Sequence, residues 1–161
     1  MSLREWLVAF KSQHEQARAG TLSADGWAAY RAGRDELARA MLAAQRAALR
    51  PGETPRQALR VARALQADLE WSVDKVRAVT LDLSSGGCAV LLAKPPPKSE
   101  EIRVQLKVPG GDPVVGRARV AGVQLQPSNV RVALAFSDLS AADRDRLEFL
   151  VFDTVIRQLA V

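Results

Sequence analysis

The chain has 161 residues, of which 48% are hydrophobic and 25% charged, and its formal net charge is +5 with a pI of about 10.0. This composition is typical of a soluble globular protein and excludes the disordered and membrane-spanning classes. The single cysteine excludes an intramolecular disulfide, and the single histidine excludes a multi-histidine metal centre. The excess of positive charge favours an anionic partner, without choosing among nucleic acid, a membrane surface and a nucleotide.

The sequence contains no targeting or membrane-spanning segment that composition can identify. Its first residues lack the basic and then apolar build of a secretion signal, and no stretch approaches about 18 consecutive apolar residues. We therefore expect a cytoplasmic protein without membrane insertion. No Gly-rich phosphate loop and no nucleophile beside a base are present, so an enzyme is the least favoured class and no cofactor is expected.

Residues 1–50 show the helical period of apolar residues. A capping-box pattern at Ser2 predicts the start of a first helix, which ends at Gly20. Ser23 can cap a second helix over roughly residues 24–49. We therefore expect an antiparallel helical hairpin with core positions at Trp6, Trp27, Tyr30 and Met41. The stripe of the first helix continues to His14, which we expect at the edge of the bundle.

From residue 61 the apolar period changes from about 3.6 to about 2 residues, which predicts strands. Six short segments with this period are separated by turn residues: 61–71, 76–83, 88–93, 102–108, 114–125 and 130–136. The apolar phase slips near Gly122, which predicts a bulge, and Cys88 lies among apolar residues, which predicts a buried structural thiol. Six strands with one apolar face each are typical of a small antiparallel barrel.

The last predicted element is a helix that begins near Ser140 and is apolar on two sides. Two apolar sides need two surfaces, so we expect this helix to pack on the barrel and on the hairpin, completing a three-helix bundle. The prediction is thus an α+β chain with a helical hairpin over 1–50, a six-stranded antiparallel barrel over 51–139 and a C-terminal helix over 140–161.

Two short motifs combine residues that can bind an anionic ligand. Arg56 and Arg60 are four positions apart where the barrel begins, and arginine suits bidentate recognition of phosphates and guanine edges. The second motif lies at a turn between two strands. It has the side-chain oxygens of Asp82 and Ser84, followed by the pair Gly86 and Gly87, which lets a ligand approach the backbone.

In this order and strand context, the two motifs resemble those of the PilZ domain, a family of bacterial receptors for cyclic di-GMP. The resemblance covers about residues 51–152 and includes the sequence Phe136-Ser137-Asp138-Leu139-Ser140 before the last helix. It implies that Arg56 and Arg60 bind the ligand's phosphates and the O6/N7 edge of guanine. Residues 1–50 lie outside the resemblance.

The resemblance also assigns roles to the second motif. Asp82 would accept hydrogen bonds from guanine N1 and N2, Ser84 would add a polar contact, and Gly86 and Gly87 would leave room for a base or phosphate. Pro55 stands where many relatives have another basic residue, which favours one ligand per chain over a stacked pair.

The predicted function is that of a cytoplasmic cyclic di-GMP effector. The ligand would order the link over 50–60 and fix the helical bundle relative to the barrel, and an unidentified downstream protein would dock on the helical region. Two alternatives remain open at this point. One is a basic nucleic-acid-binding module that uses the arginine-rich second helix, the less favoured partner. The other is a PilZ-like adaptor that binds a protein without any nucleotide.

Overall fold

The computed structural model describes residues 1–159, and they divide into two compact units. One unit contains Met1–Leu59 together with the chain from Phe152 onward, and the other contains Arg60–Val151. The first is helical and the second contains the sheet. None of the helices in the described residues is long and apolar enough to cross a membrane.

The first two helices begin at the caps that the sequence predicts. Helix α1 spans Leu3–Ala19; the Glu5 amide donates to Ser2 Oγ at 3.2 Å, and the Ser2 amide donates to the Glu5 carboxylate at 2.6 Å. Gly20 ends the helix with φ of +71°, a conformation that glycine adopts without steric cost. Helix α2 spans Ala24–Ala47, and its cap Ser23 accepts from the Gly26 amide at 3.1 Å.

Aromatic side chains form the centre of the helical unit. The ring of Phe10 stacks on Tyr30 at 5.6 Å and meets Phe152 edge-on at 6.4 Å, both distances joining ring centroids. Trp27 contacts the edge of Tyr30. Phe152 belongs to helix α3, which spans Ala141–Gln158, so α1, α2 and the end of α3 form the predicted three-helix bundle.

His14 is buried inside this bundle, and the prediction that it lies at the edge is wrong. It is 0% exposed, with Nε2 3.1 Å from Asp153 Oδ1 and Nδ1 2.7 Å from the Tyr30 hydroxyl. Burial, reinforced by the nearby Arg18 guanidinium, lowers the pKa of His14 to about 4. In the neutral ring, Nε2 therefore donates to the carboxylate and Nδ1 accepts from the tyrosine. Arg18 and Arg157 also contact Asp153.

The second unit is a closed antiparallel barrel of six strands in the order β1-β2-β3-β6-β5-β4. The strands are β1 Gln66–Trp71, β2 Asp74–Ser84, β3 Gly87–Leu92, β4 Ile102–Leu106, β5 Val114–Leu125 and β6 Val130–Asp138. Their inward side chains alternate with outward ones, as in Ala67, Leu69 and Trp71 of β1, and form the core. The predicted barrel is confirmed, and so is the bulge, since the β5–β6 register shifts between Val120 and Gly122.

The first strand is shorter than the predicted segment 61–71. Before Gln66, Val61 forms an isolated bridge to Leu83, and the Leu65 carbonyl accepts from the Thr80 amide at 2.9 Å. The Thr80 hydroxyl accepts from the Leu65 amide at 2.8 Å and donates to the Arg63 carbonyl at 2.6 Å. The Thr80 side chain thus provides partners for backbone groups of residues 63 and 65 that a continuous strand would have paired with backbone groups. This segment therefore contacts β2 but is not a regular strand.

Candidate functional site

Asp82 lies on β2 beside an irregularity, because the β2–β3 register shifts between Thr80 and Asp82. The residue is only 8% exposed. Two arginines of the same unit flank its carboxylate: Arg131 of β6 donates from Nη2 to Oδ2 at 2.7 Å, and Arg60 Nε is 3.7 Å from Oδ1. The bulge thus presents a buried carboxylate between two guanidinium groups.

The contact between Asp82 and Arg60 is an ion pair without a hydrogen bond. Its distance of 3.7 Å exceeds hydrogen-bonding range, and both Asp82 Oδ1 and Arg60 Nε are buried atoms without a hydrogen-bond partner in the described residues. Most buried polar atoms in proteins have such a partner. One acceptor and one donor of this site therefore keep unused hydrogen-bonding capacity.

A tight turn connects β2 to β3 next to Asp82. Ser84 and Gly87 face each other in the register, and the Ser84 hydroxyl accepts from the Gly86 amide at 3.1 Å and donates to the Gly87 carbonyl at 3.3 Å. The serine is therefore used within the turn itself. Gly86 is exposed, and a Cβ added there would meet only Ser84 Oγ at 3.7 Å, so this side of the turn is open.

Gly87, unlike Gly86, leaves no space for a side chain. A Cβ added at Gly87 would lie 2.1 Å from the carbonyl oxygen of Leu134, in the neighbouring strand β6. The space that this glycine leaves is thus taken by backbone of the barrel. Close approach of β3 to β6 therefore requires glycine at position 87, whichever ligand the turn takes.

The structure places five of the six predicted site residues in the barrel unit: Arg60, Asp82, Ser84, Gly86 and Gly87. Arg56 belongs to the helical unit, in the exposed segment that follows α2. Within residues 1–159 its guanidinium makes no ion pair, in contrast to that of Arg60. The two arginines of one motif thus lie in different electrostatic surroundings.

A family model gives the chain its place among known proteins: the model of the PilZ domain matches residues 54–153. The chain belongs to the PilZ domain family. The match covers more than half of the chain, including the whole barrel, and leaves α1 and α2 outside. No curated protein matches the sequence.

Solved structures confirm the PilZ fold. The "Inhibitor of motility (MotI/DgrA)" of Bacillus subtilis has a TM-score of 0.60 at 20% identity, over 66% of this chain and 54% of that chain. The PilZ domain of YcgR from Escherichia coli, solved with cyclic di-GMP, has a TM-score of 0.56 at 15% identity, over 65% of this chain and 94% of that one. The MrkH complex with cyclic di-GMP from K. pneumonia scores 0.55 at 17% identity, over 65% and 54%. The chain thus spans about half the length of MotI/DgrA.

Arg131 is the residue of this PilZ domain that the sequence analysis missed. It lies one strand away from β2, because β3 separates β2 from β6. The β3 residue paired with Asp82 is Ala89, whose small side chain leaves room for the guanidinium of Arg131 to reach the carboxylate. No spacing in the sequence could reveal a pair 49 positions apart; an arginine within the otherwise apolar run of residues 130–136 was the available signal.

The cysteine of the PilZ domain is close to the site but takes no part in its chemistry. Cys88 is 2% exposed, and burial together with the Asp82 carboxylate raises the pKa of its thiol to about 12. The thiolate, which is the reactive form, is therefore not populated near neutral pH. The prediction of a buried structural thiol is confirmed.

A cleft on the barrel lies away from these residues. Its volume is about 670 Å³, and strands β1, β2 and β4 line it. Its wall contains both acidic and basic side chains, among them Asp68 and Arg77, which form an ion pair at 3.3 Å. None of the six predicted site residues lines this cleft.

Proposed function

We propose that this PilZ domain is a cyclic di-GMP receptor and acts as a signalling effector, without catalysing a reaction. The observation that carries the proposal is the buried carboxylate of Asp82 between Arg60 and Arg131, beside the open turn at Gly86. The YcgR and MrkH structures that share this fold contain cyclic di-GMP. The same ligand therefore has a precedent on this scaffold.

Guanine can supply hydrogen-bond partners for two buried atoms of this site that have none in the described residues. Its N1–H and N2–H groups donate, and its O6 and N7 atoms accept. Asp82 Oδ1 is a buried acceptor without a hydrogen bond in the described residues, and Arg60 Nε is a donor in the same state. A carboxylate has about four lone-pair sites, and Arg131 uses one of them. A guanine edge can therefore bind Asp82 while Arg131 stays in place.

The charge of the site suits a ligand with two phosphates. Two arginines beside one aspartate leave a local excess of one positive charge. Guanidinium groups bind phosphate oxygens in bidentate, charge-assisted geometry. We assign Arg56 to a phosphate and Arg60 with Asp82 to the guanine side, where Ser84, whose hydroxyl proton is used in the turn, would add only an acceptor.

Binding would also order the segment over 50–60. Most of its residues are exposed, and only a single backbone hydrogen bond from Glu53 to Arg50 is formed between residues 50 and 56. A ligand held by Arg56 and Arg60 would restrict this segment and thereby influence the helical unit, where a downstream protein would dock. Hydrogen exchange over 50–60 tests this step: protection that stays unchanged at saturating ligand would contradict it.

The receptor proposal is tested by isothermal calorimetry of the full chain with cyclic di-GMP. We expect saturable binding, with one ligand per chain, and at least about tenfold weaker binding for Arg56→Ala and Arg60→Ala, because each loses a bidentate contact. Arg77→Ala is the matched control, since Arg77 is 74% exposed on β2 and its ion pair is with Asp68, away from the predicted site residues. A folded wild-type chain that releases no heat would refute the proposal.

The two alternatives from the sequence predict different results. A nucleic-acid-binding module would bind DNA or RNA with a steep salt dependence and would keep that binding in Arg56→Ala. A ligand-free adaptor would bind neither, and both motif arginines would be dispensable. One arginine of α2 is engaged within its own helix, since the Arg31 guanidinium lies 5.2 Å from the centroid of the Trp27 ring.

A further inference from the structure

The end of α2 and the segment after it enclose a small cleft in the helical unit. The cleft has a volume of about 250 Å³, and we call it the α2 cleft. Its polar lining comes from Gln45 and Arg46 of α2 and from Glu53, Thr54 and Arg56 of the segment. It therefore brings a motif arginine together with an arginine that lies outside residues 54–153, the part matched by the PilZ family.

We propose that Arg46 is a phosphate-binding residue for cyclic di-GMP, acting together with Arg56 in the α2 cleft. The inference rests on the proposed function, since it names a further contact of the same ligand. It differs from that proposal in placing part of the recognition on α2. A residue of the helical addition would then contribute directly to affinity.

The two arginines of the α2 cleft have unused charge. Neither Arg46 nor Arg56 forms an ion pair within residues 1–159, although Glu53 lines the same cleft. In the cleft on the barrel, by comparison, Arg77 forms an ion pair with Asp68. Two guanidinium groups against one carboxylate leave a positive cleft, which an anion neutralises.

The remaining polar groups of the α2 cleft also suit a phosphate. A phosphodiester only accepts hydrogen bonds, and the Gln45 amide and the Thr54 hydroxyl can donate alongside the two arginines. Leu42 and Leu49 supply an apolar wall that can face a sugar. The cleft is too small to enclose a whole cyclic dinucleotide, so it would take one phosphate with its sugar and leave the rest of the ligand outside.

One electrostatic effect opposes an anion at this position. Arg46 lies in the last turn of α2, where the helix dipole places partial negative charge. This effect is weak and screened at an exposed helix end, whereas hydrogen bonds between guanidinium and phosphate are charge-assisted and bidentate. We therefore expect the contacts of the two arginines with a phosphate to outweigh the unfavourable effect of the dipole. A single arginine at this helix end would supply only half of that compensation.

The test is calorimetry of the full chain with cyclic di-GMP for the wild type, Arg46→Ala and Arg39→Ala. Arg39 is an exposed arginine two turns earlier on α2 and does not line the cleft, so it controls for the loss of one charge from the same helix. We expect Arg46→Ala to raise the Kd about tenfold. Arg39→Ala should change the Kd by less than about twofold, and Arg46→Lys should restore part of the loss.

The outcomes separate this inference from the proposed function. If the wild type binds and Arg46→Ala binds as well as Arg39→Ala does, the role of Arg46 is refuted while the receptor proposal stands. If the folded wild type does not bind cyclic di-GMP, both fail. Circular dichroism and thermal unfolding of each variant check the fold, and Arg46→Gln provides a second variant of more similar size.

Discussion

Adjacent glycines in the turn between β2 and β3 allow a sharp test of the structure. Gly87→Ala adds one methyl group where β3 approaches β6, and Gly86→Ala adds the same group one position earlier, where the turn is open. Neither glycine has a positive φ, so backbone strain does not distinguish the two substitutions. The comparison therefore isolates the steric effect of the neighbouring strand.

The cost of Gly87→Ala follows from the contacts of the new Cβ. It would lie 2.1 Å from the Leu134 carbonyl oxygen and 3.1 Å from the carbonyl carbon. These are backbone atoms of β6, which is held between β3 and β5, so no side-chain rotation relieves the clash. Overpacking costs about 1–3 kcal/mol, and each broken ladder hydrogen bond adds about 1 kcal/mol. We expect the free energy of unfolding to fall by about 3–4 kcal/mol, a large part of a typical stability of about 5–15 kcal/mol.

Urea denaturation followed by circular dichroism measures the loss, and hydrogen exchange locates it in the barrel. Gly87→Ala should speed exchange of amides in β3 and β6, whereas Gly86→Ala should stay within about 0.5 kcal/mol of the wild type. Equal effects of the two substitutions, or a stable Gly87→Ala, would refute the reasoning about strand approach. A stable Gly86→Ala with weaker cyclic di-GMP binding would add support for a ligand at the open side of the turn.

Three further predictions concern buried groups. Burial lowers the pKa of His14 to about 4, against an ordinary 6.5, so the unfolded chain binds the proton more readily than the folded chain. The free energy of unfolding of the helical unit should therefore fall by up to about 3 kcal/mol as the pH falls from about 6.5 to 4. Urea denaturation at each pH measures this loss, and a flat profile would contradict the burial argument. Cys88 should resist iodoacetamide at pH 8 until the chain is unfolded, since its thiol is buried with a raised pKa of about 12; rapid labelling of the native chain would argue against this. Arg131→Leu should lower the free energy of unfolding by about 1–3 kcal/mol, because it removes the hydrogen bond to Asp82. Arg119→Leu, which removes an exposed arginine of β5, should change it little. Equal losses would show that the Asp82 contact does not matter for stability.

Local patterns in the sequence predicted most of the secondary structure. The period of two residues predicted six strands because each strand has one face in the barrel core, as Ile102, Val104 and Leu106 show in β4. Side-chain caps predicted the helix starts at Ser2 and Ser140, since those bonds form within one turn. These features depend on neighbours in the chain, which is why they are readable before any tertiary contact is known.

The errors arose where a distant residue decides the outcome. His14 was predicted at the edge because the sequence shows no partner for it, but Asp153, 139 positions later, supplies a buried partner. Residues 61–65 alternate like a strand, but the side chain of Thr80 takes over part of their backbone hydrogen bonding. Arg131 was missed for the same reason, because the pair with Asp82 crosses an intervening strand. Spacing in the sequence carries no information on such pairs.

The four-residue spacing of Arg56 and Arg60 conceals two different physical situations. Arg60 is 34% exposed in its side chain and is already ion-paired with Asp82, so part of its conformational entropy is lost before a ligand arrives. Arg56 is exposed and has no ion pair within residues 1–159, so it would lose that entropy only on binding. Arg60 is thus suited to define the geometry of guanine recognition, whereas Arg56 is suited to supply charge that follows a phosphate. In the proposed site, a phosphate shared with Arg46 would add a second charge-assisted contact that offsets part of this entropy cost.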